Sequence, residues 1–140
     1  VTPANGTLIK VAPGQNVNFT VTATDPDPSN QFGESEVSIQ AAGSPGASTY
    51  SPALPTAAAD PTSTTFDWTP VTGTADLGTY VISFFSEDGL GVQTTTSVTI
   101  VVTLAPVFSQ ASGQVMPECL MEGDIISRTV EASDLDQQMK

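Results

Sequence analysis

The residues with the clearest chemical content are carboxylates that follow an alternating apolar and polar segment. The sequence Asp-Pro-Asp-Pro-Ser-Asn occupies residues 25–30. Asp25 and Asp27 are one residue apart, so in an extended chain their side chains point the same way, and the amide of Asn30 follows shortly after. Closely spaced oxygen donors of this kind suit calcium, which takes about six to eight oxygen ligands.

A second acidic turn, Glu-Asp-Gly at residues 87–89, ends the strand predicted to begin at Tyr80. In a β-sandwich the ends of these two strands can lie at the same pole, and the donors would then converge: Asp25, Asp27, Asn30 and Asp88. The alternative is that both are ordinary turns, in which Asp side chains accept backbone N–H groups and the carboxylates are solvated. Both interpretations stay open on the sequence.

Composition excludes several kinds of chemistry. The chain has no histidine, which excludes Ser-His-Asp and Cys-His catalysis and histidine-ligated zinc. Cys119 is the only cysteine, so neither an internal disulfide nor a Cys-rich metal site can form. The net charge of −12 argues against nucleic acid and against an anionic membrane surface as partners. No apolar run is long enough to cross a membrane, so we predict no membrane insertion.

The candidate ligands must be positioned by β-strands, because apolar residues alternate with polar ones. The clearest strand places Val17, Phe19, Val21 and Ala23 on one face and small polar residues on the other. Further strands are predicted near residues 8–12, 36–40, 65–68, 80–85 and 92–102. The segment 41–63 reads as a long loop with at most one short edge strand. Some seven short strands in about 100 residues indicate an all-β, immunoglobulin-like antiparallel β-sandwich.

The predicted core consists of large apolar residues at inward positions of these strands: Phe19, Val21, Trp68, Tyr80, Ile82, Phe84, Val98 and Ile100. Trp68 has two interpretations, an exposed platform for a sugar ring or the largest residue of the core. We favour the second, because most aromatics fall on inward positions. The aromatic residues that remain free to be exposed are Phe32, Tyr50, Phe85 and Phe108.

The chain contains an internal repeat. Val-Thr-Ala-Thr-Asp-Pro-Asp at residues 21–27 matches Val-Glu-Ala-Ser-Asp-Leu-Asp at residues 130–136, an offset of 109 residues. We therefore predict one complete sandwich over residues 1–104, followed by a linker and the truncated start of a second, similar repeat over residues 105–140. Two strands cannot bury a core, so the second copy must be completed by its own continuing chain or by another chain; we favour the first.

Several segments resemble a cadherin-like repeat. They are the string at residues 21–27 with Asn30 after it, the Ser-Glu-Asp-Gly turn at 86–89, Val-Thr-Ile-Val-Val at 98–102 and the linker Ala-Pro-Val-Phe at 105–108. Phe-Asp-Trp-Thr-Pro at 66–70 and Gly-Thr-Tyr at 78–80 are more similar to the dystroglycan-type immunoglobulin-like variants found in tandem in bacterial cell-surface adhesins. The resemblance covers residues 7–103 and the opening of the second repeat.

This resemblance implies calcium ligands at the junction with the preceding repeat. In this sequence they are Asp25, Asp27, Asn30 and Asp88, and in the second copy Asp134 and Asp136. The chain departs from the family pattern at residues 102–105, where the linker carries no carboxylate, and at Pro13, where a glutamate is expected. The junction between the two copies therefore lacks most donors from its upstream side, so calcium there would be weak or absent.

The favoured function is a non-catalytic structural repeat of a long secreted or cell-surface protein. It would be an adhesin, stalk or filament segment, as in the large adhesins used in gliding. Its partners would be neighbouring repeats of the same chain and other copies in a filament. The alternative is a carbohydrate-binding or accessory module of a secreted enzyme, which requires exposed aromatic rings. A glycosidase-like enzyme would need a pair of carboxylates as acid and nucleophile, and the candidates are Asp67, Asp76, Glu87 and Asp88. A sandwich of this size has little room for a substrate cleft, so we predict no enzymatic activity.

Overall fold

The computed structural model of this chain describes residues 3–26, 36–108 and 131–133. The chain divides into two compact units, Val1–Thr103 and Leu104–Lys140. The described residues form strands and no helix, which confirms the predicted all-β class. The strands of the first unit are β1 (Thr7–Val11), β2 (Val17–Ala23), β3 (Ser38–Ala42), β4 (Thr49–Ser51), β5 (Thr62–Trp68), β6 (Gly78–Glu87) and β7 (Gln93–Val102). Those of the second unit are β8 (Val107–Phe108) and β9 (Ala132–Ser133).

The first unit is a β-sandwich, as predicted. One sheet has the strand order β1-β7-β6-β3, and the other has the order β2-β5-β4. All neighbours are antiparallel except β1 and β7, which run parallel with Thr7 opposite Val98 and Val11 opposite Val102. The segment 41–63, predicted to be a long loop with at most one short edge strand, contains β4, which pairs only with β5. Its first and last residues belong to β3 and β5.

Period-two patterning places the core between the sheets. Strand β2 buries Val17, Phe19 and Val21, and β5 buries every second residue from Thr62 to Trp68. The buried cluster combines inward residues of both sheets: Val17, Phe19, Val21, Ile39, Phe66, Trp68, Ile82, Phe84, Val98, Ile100 and Val102. Seven of the eight predicted core residues are in this cluster, and the eighth, Tyr80, packs against it half-buried.

Aromatic side chains join the two layers. Phe19 stacks on Phe66 within the three-stranded sheet, with ring centroids 4.9 Å apart, and meets Phe84 of the opposite sheet edge-on at 6.1 Å. Trp68 meets Tyr80 edge-on at 4.9 Å. Trp68 is only 2% exposed, which confirms that it is a core residue and rules out its use as a sugar platform in the folded unit.

Buried threonines tie the connection between β4 and β5 to the core. The Thr56 hydroxyl accepts the backbone N–H of Ile39 (2.9 Å) and a hydrogen bond from the Thr62 hydroxyl (3.2 Å). The Thr64 hydroxyl donates to the carbonyl of Pro52 (2.7 Å). Because each buried hydroxyl has a partner, threonine can occupy inward positions of β5 without the cost of an unsatisfied polar group.

Only part of the face formed by alternate residues from 92 to 102 is buried. Val98, Ile100 and Val102 are buried, whereas Val92, just before β7, is 65% exposed. The four-stranded sheet is one strand wider than its partner, so among the described strands none lies opposite part of its inner face.

Gly43 allows a close approach between β3 and β6. Its φ of +81° lies in the left-handed region, and a Cβ there would overlap the backbone carbonyl oxygen of Val81. Gly43→Ala is therefore expected to lower the free energy of unfolding by about 2–5 kcal/mol, from left-handed strain of about 1–2 kcal/mol and overpacking of about 1–3 kcal/mol. Urea unfolding measures it. Gly46→Ala is the control: a Cβ at Gly46 meets nothing within 4 Å, so a change above about 1 kcal/mol there would contradict the explanation.

Trp68→Ala is expected to destabilise the first unit by about 3–5 kcal/mol, because a buried indole is removed and a cavity remains. Leu90→Ala is the matched control, since Leu90 is exposed, and should change stability by less than about 0.5 kcal/mol. Denaturant unfolding compares the two. A Trp68→Ala protein with wild-type stability that has lost binding to a sugar would contradict the core assignment and favour the carbohydrate-binding alternative.

Candidate functional site

Two of the six predicted calcium ligands lie at one pocket. Asp25 follows the end of β2 and Asp88 follows the end of β6, and both line a cavity of about 150 Å³. Other parts of its wall come from Val37 and from Val92 and Gln93 at the start of β7. The ends of β2 and β6 therefore lie at the same pole. The other predicted ligands lie outside the described residues: Asp27, Asn30, Asp134 and Asp136.

Asp88 holds the turn between β6 and β7. Its Oδ1 accepts the backbone N–H groups of Leu90 (2.9 Å) and Val92 (2.8 Å). Its own N–H donates to the carbonyl of Val92 (3.1 Å). This is the turn role that the sequence left as an alternative to metal binding, and it engages one of the two carboxylate oxygens.

Asp25 is half-buried, and its backbone N–H donates to Oδ1 of Asp60 (3.1 Å). A further carboxylate is thus held beside the end of β2. Among residues 3–26, 36–108 and 131–133, no group of three or more acidic or cysteine side chains is arranged to hold a metal ion. Calcium therefore stays a prediction that depends on Asp27 and Asn30.

The carboxylates weighed as catalytic groups all have local hydrogen-bond partners. Asp67 on β5 accepts from the amide of Asn18 on β2 (2.8 Å). Asp76 Oδ2 accepts the backbone N–H of Val71 (2.8 Å), and Glu87 accepts from the side-chain amide of Gln93 across the β6–β7 hairpin. These contacts give each carboxylate a role in a turn or strand pair, so none of them favours an enzyme.

The aromatic residues considered for sugar binding are not presented as a platform. The Tyr50 ring meets Phe66 and Phe84 edge-on, with ring centroids 5.5 and 6.3 Å away. Its hydroxyl forms a hydrogen bond with that of Ser44, and burial raises the pKa of Tyr50 above its ordinary value. Phe85 is half-buried. Phe32 and the side chain of Phe108 lie outside the described part of the chain. No aromatic residue is among the exposed large apolar side chains of the described part, so nothing there favours the carbohydrate-binding alternative.

A second cavity, of about 250 Å³, was not expected from the sequence. We call it the edge cleft. One wall is the end of β2 at residues 21–24, the other is β7 at residues 94–96, and Ile39 and Phe84 lie between them. Alternation in β2 and β7 identifies their inward residues but does not show that the strands leave a gap between them. The sequence feature related to this cleft is the internal repeat, because Ala23 and Thr24 of its wall correspond to Ala132 and Ser133.

No protein-family model matches this sequence, and no curated protein is significantly similar to it. The likeness to cadherin-like and dystroglycan-type repeats therefore depends on the short segments described above. Within the described ranges there is no helix with the length and hydropathy needed to cross a membrane.

The predicted calcium site is tested by thermal unfolding at fixed ionic strength, so that screening of the −12 charge is not mistaken for binding. Binding to the folded state alone stabilises it by mass action, by about 1.4 kcal/mol at ten times the dissociation constant. Part of a cadherin-like site comes from the preceding repeat, so we expect a weak dissociation constant of about 10⁻⁴ to 10⁻³ M. Calcium at millimolar concentration should raise the melting temperature relative to chelator.

The double variant Asp25→Asn/Asp27→Asn should abolish that shift, and Asp60→Asn is the control for loss of a nearby charge. Magnesium is the control ion, because it tolerates an irregular oxygen shell poorly. No shift, or the same shift with both ions, would leave these carboxylates as turn residues only.

Proposed function

We propose that this chain supplies a non-catalytic, force-bearing structural repeat to a long secreted or cell-surface protein, such as an adhesin or stalk. Its partners are neighbouring repeats of the same chain and other copies in a filament. The observation that carries the proposal is the parallel pairing of β1 with β7, the first and last strands of the first unit.

Parallel pairing of these strands sets where the chain enters and leaves. Both strands run in the same direction, so the start of β1 and the end of β7 lie at opposite ends of the pair. A chain that enters before Thr7 and leaves after Val102 therefore passes through the unit from one end to the other. Tandem arrays need this path, because it lets repeats follow each other in a line.

The same geometry suits the unit to bear tension. A pull on the two chain ends acts along β1 and β7 in opposite directions, so the hydrogen bonds between them are loaded together in shear. The pairing extends past the strand ends: Val11 O accepts from the N–H of Thr103 (3.0 Å), and Ser97 O accepts from the N–H of Gly6 (2.9 Å). The Asn5 side chain also accepts the N–H of Ser97 (2.9 Å).

Two further observations support an immunoglobulin-like sandwich, the type used in such arrays. The order β2-β5-β4 in one sheet and β7-β6-β3 in the other corresponds to the order of that fold. Tyr80, near the start of β6, donates its hydroxyl proton to the carbonyl of Asp76 (3.1 Å), the contact known as a tyrosine corner. Burial, with the Asp76 charge as the second cause, raises the pKa of Tyr80, so its hydroxyl remains a donor at neutral pH.

Single-molecule force spectroscopy tests the proposal. The chain is held by handles at residues 1 and 140 and pulled at constant speed. We expect one main unfolding event that releases residues 7–103, whose extended length is about 33 nm at roughly 3.4 Å per residue; the gain in length is this value less the end-to-end distance of the folded unit. Ile9→Pro should lower the unfolding force, because Pro removes a backbone donor from β1.

Thr49→Pro is the matched control, since it puts Pro into the edge strand β4, which pairs only with β5 and lies outside the terminal pair. Circular dichroism first establishes that both variants are folded. If Thr49→Pro lowers the unfolding force as much as Ile9→Pro does, the terminal pair does not bear the load and the proposal is wrong.

A further inference from the structure

Among the described strands, β2 is an edge strand of its sheet. It pairs with β5 along all seven of its residues, and among the described residues no strand pairs with its other side. Exposed edges present unpaired N–H and C=O groups to any extended segment. The outer edge of β2 can therefore accept another strand.

The other edges carry features that discourage pairing, and β2 carries none of them. Strand β1 has the exposed Lys10, and β4 is only three residues long. The edge of β3 is covered by a neighbouring segment, since the N–H of Thr56 donates to the carbonyl of Ile39 (3.0 Å). The β2 sequence Val-Asn-Phe-Thr-Val-Thr-Ala has no charge and no proline. Proteins protect edge strands with charges, proline, short length or a covering segment, which leaves a covering segment as the protection available to β2.

The edge cleft lies beside this edge. Its β2 wall is formed by residues 21–24, and Ile39 and Phe84 supply apolar surface. Its volume of about 250 Å³ exceeds the roughly 150 Å³ that holds a benzene molecule in an apolar cavity. The cleft can therefore take a large apolar side chain from a strand laid along β2.

In the second unit a short strand pairs with the segment that corresponds to the end of β2. There β8 pairs antiparallel with β9, with Val107 opposite Ser133 and Phe108 opposite Ala132. At the repeat offset, Ala132 and Ser133 of β9 correspond to Ala23 and Thr24, which line the edge cleft. In the tandem array proposed above, the segment that corresponds to β8 would precede residue 1 and would pair with them.

We propose that the outer edge of β2 is a docking edge for the linker strand that precedes a repeat. A segment with the sequence of residues 104–109 pairs antiparallel with Ala23 and Thr24 and places an apolar side chain in the edge cleft. About seven residues then lead to Thr7, a span of up to roughly 23 Å, which exceeds the roughly 10 Å between packed sheets. This inference rests on the tandem-repeat function proposed above.

The test lengthens the chain instead of mutating it, so the fold is retained. The six residues Leu-Ala-Pro-Val-Phe-Ser, a copy of residues 104–109, are placed directly before Val1. We expect the melting temperature to rise by about 4 °C or more, the shift that roughly 1 kcal/mol gives in a domain of this size. We also expect hydrogen exchange of the outward amides near Ala23 to slow by about tenfold, with β4 unchanged.

The matched control is the same extension with serine in place of its valine and phenylalanine, which should give neither effect. Equal shifts from both extensions would overturn the proposal, because added length alone would explain them. Unchanged melting and exchange would also overturn it. So would a dimer of the original chain with protected β2 amides, because the occupant would then be a second copy. The force measurement uses only β1 and β7, so its failure is distinguishable from failure here.

Discussion

The contact between the two sheets through Phe19, Phe66 and Phe84 is the interaction on which the rest of the structure depends. Each strand can bury only alternate residues, so these rings meet only if the register is right. Phe19 lies opposite Phe66, and Phe84 lies opposite Thr96 in the other sheet. A slip of one residue in any pair would turn the apolar side chains of that strand toward water.

The unequal width of the sheets explains where the cavities lie. Four strands face three, so the start of β7 extends beyond the cover that β2 provides. The edge cleft and the pocket of Asp25 and Asp88 both open there, and they share the wall residues Thr24, Ser86 and Thr94. The two candidate calcium ligands and the proposed docking site for a strand therefore lie in neighbouring parts of one gap between the sheets.

Much of this architecture could be predicted from the sequence, because a period of two records which side chains of each strand face the core. The pattern correctly predicted the strands around Phe19 and Ile82, but it did not locate the short edge strand β4. It missed the inward threonines of β5, because a threonine looks polar until its hydroxyl has a buried partner such as the carbonyl of Pro52. It did not show that Val92 is exposed while Val98 is buried, because local alternation contains no information about the width of the opposite sheet.

The sequence pattern could not predict which strands pair with each other, for the same reason. Alternation tells which face of β1 is apolar, but not that β1 lies parallel to a strand about 90 residues later in the chain. The two cavities were likewise predictable only in part. The meeting of Asp25 and Asp88 at one pole follows from strands that end in acidic turns, whereas the edge cleft arises only when the two sheets are packed together.

The outer edge of β2 and the parallel pair of β1 and β7 would both contact the incoming chain of a tandem array. A linker strand on β2 extends the three-stranded sheet, and the same chain then continues into β1 of the four-stranded sheet. The entering segment would belong to both sheets and would join them on the side where the narrower sheet falls short. An uncharged β2 edge is a liability in an isolated unit, but in the proposed array it would be the surface on which each linker is held. The composition of a single strand would then be related to the way in which repeats follow one another.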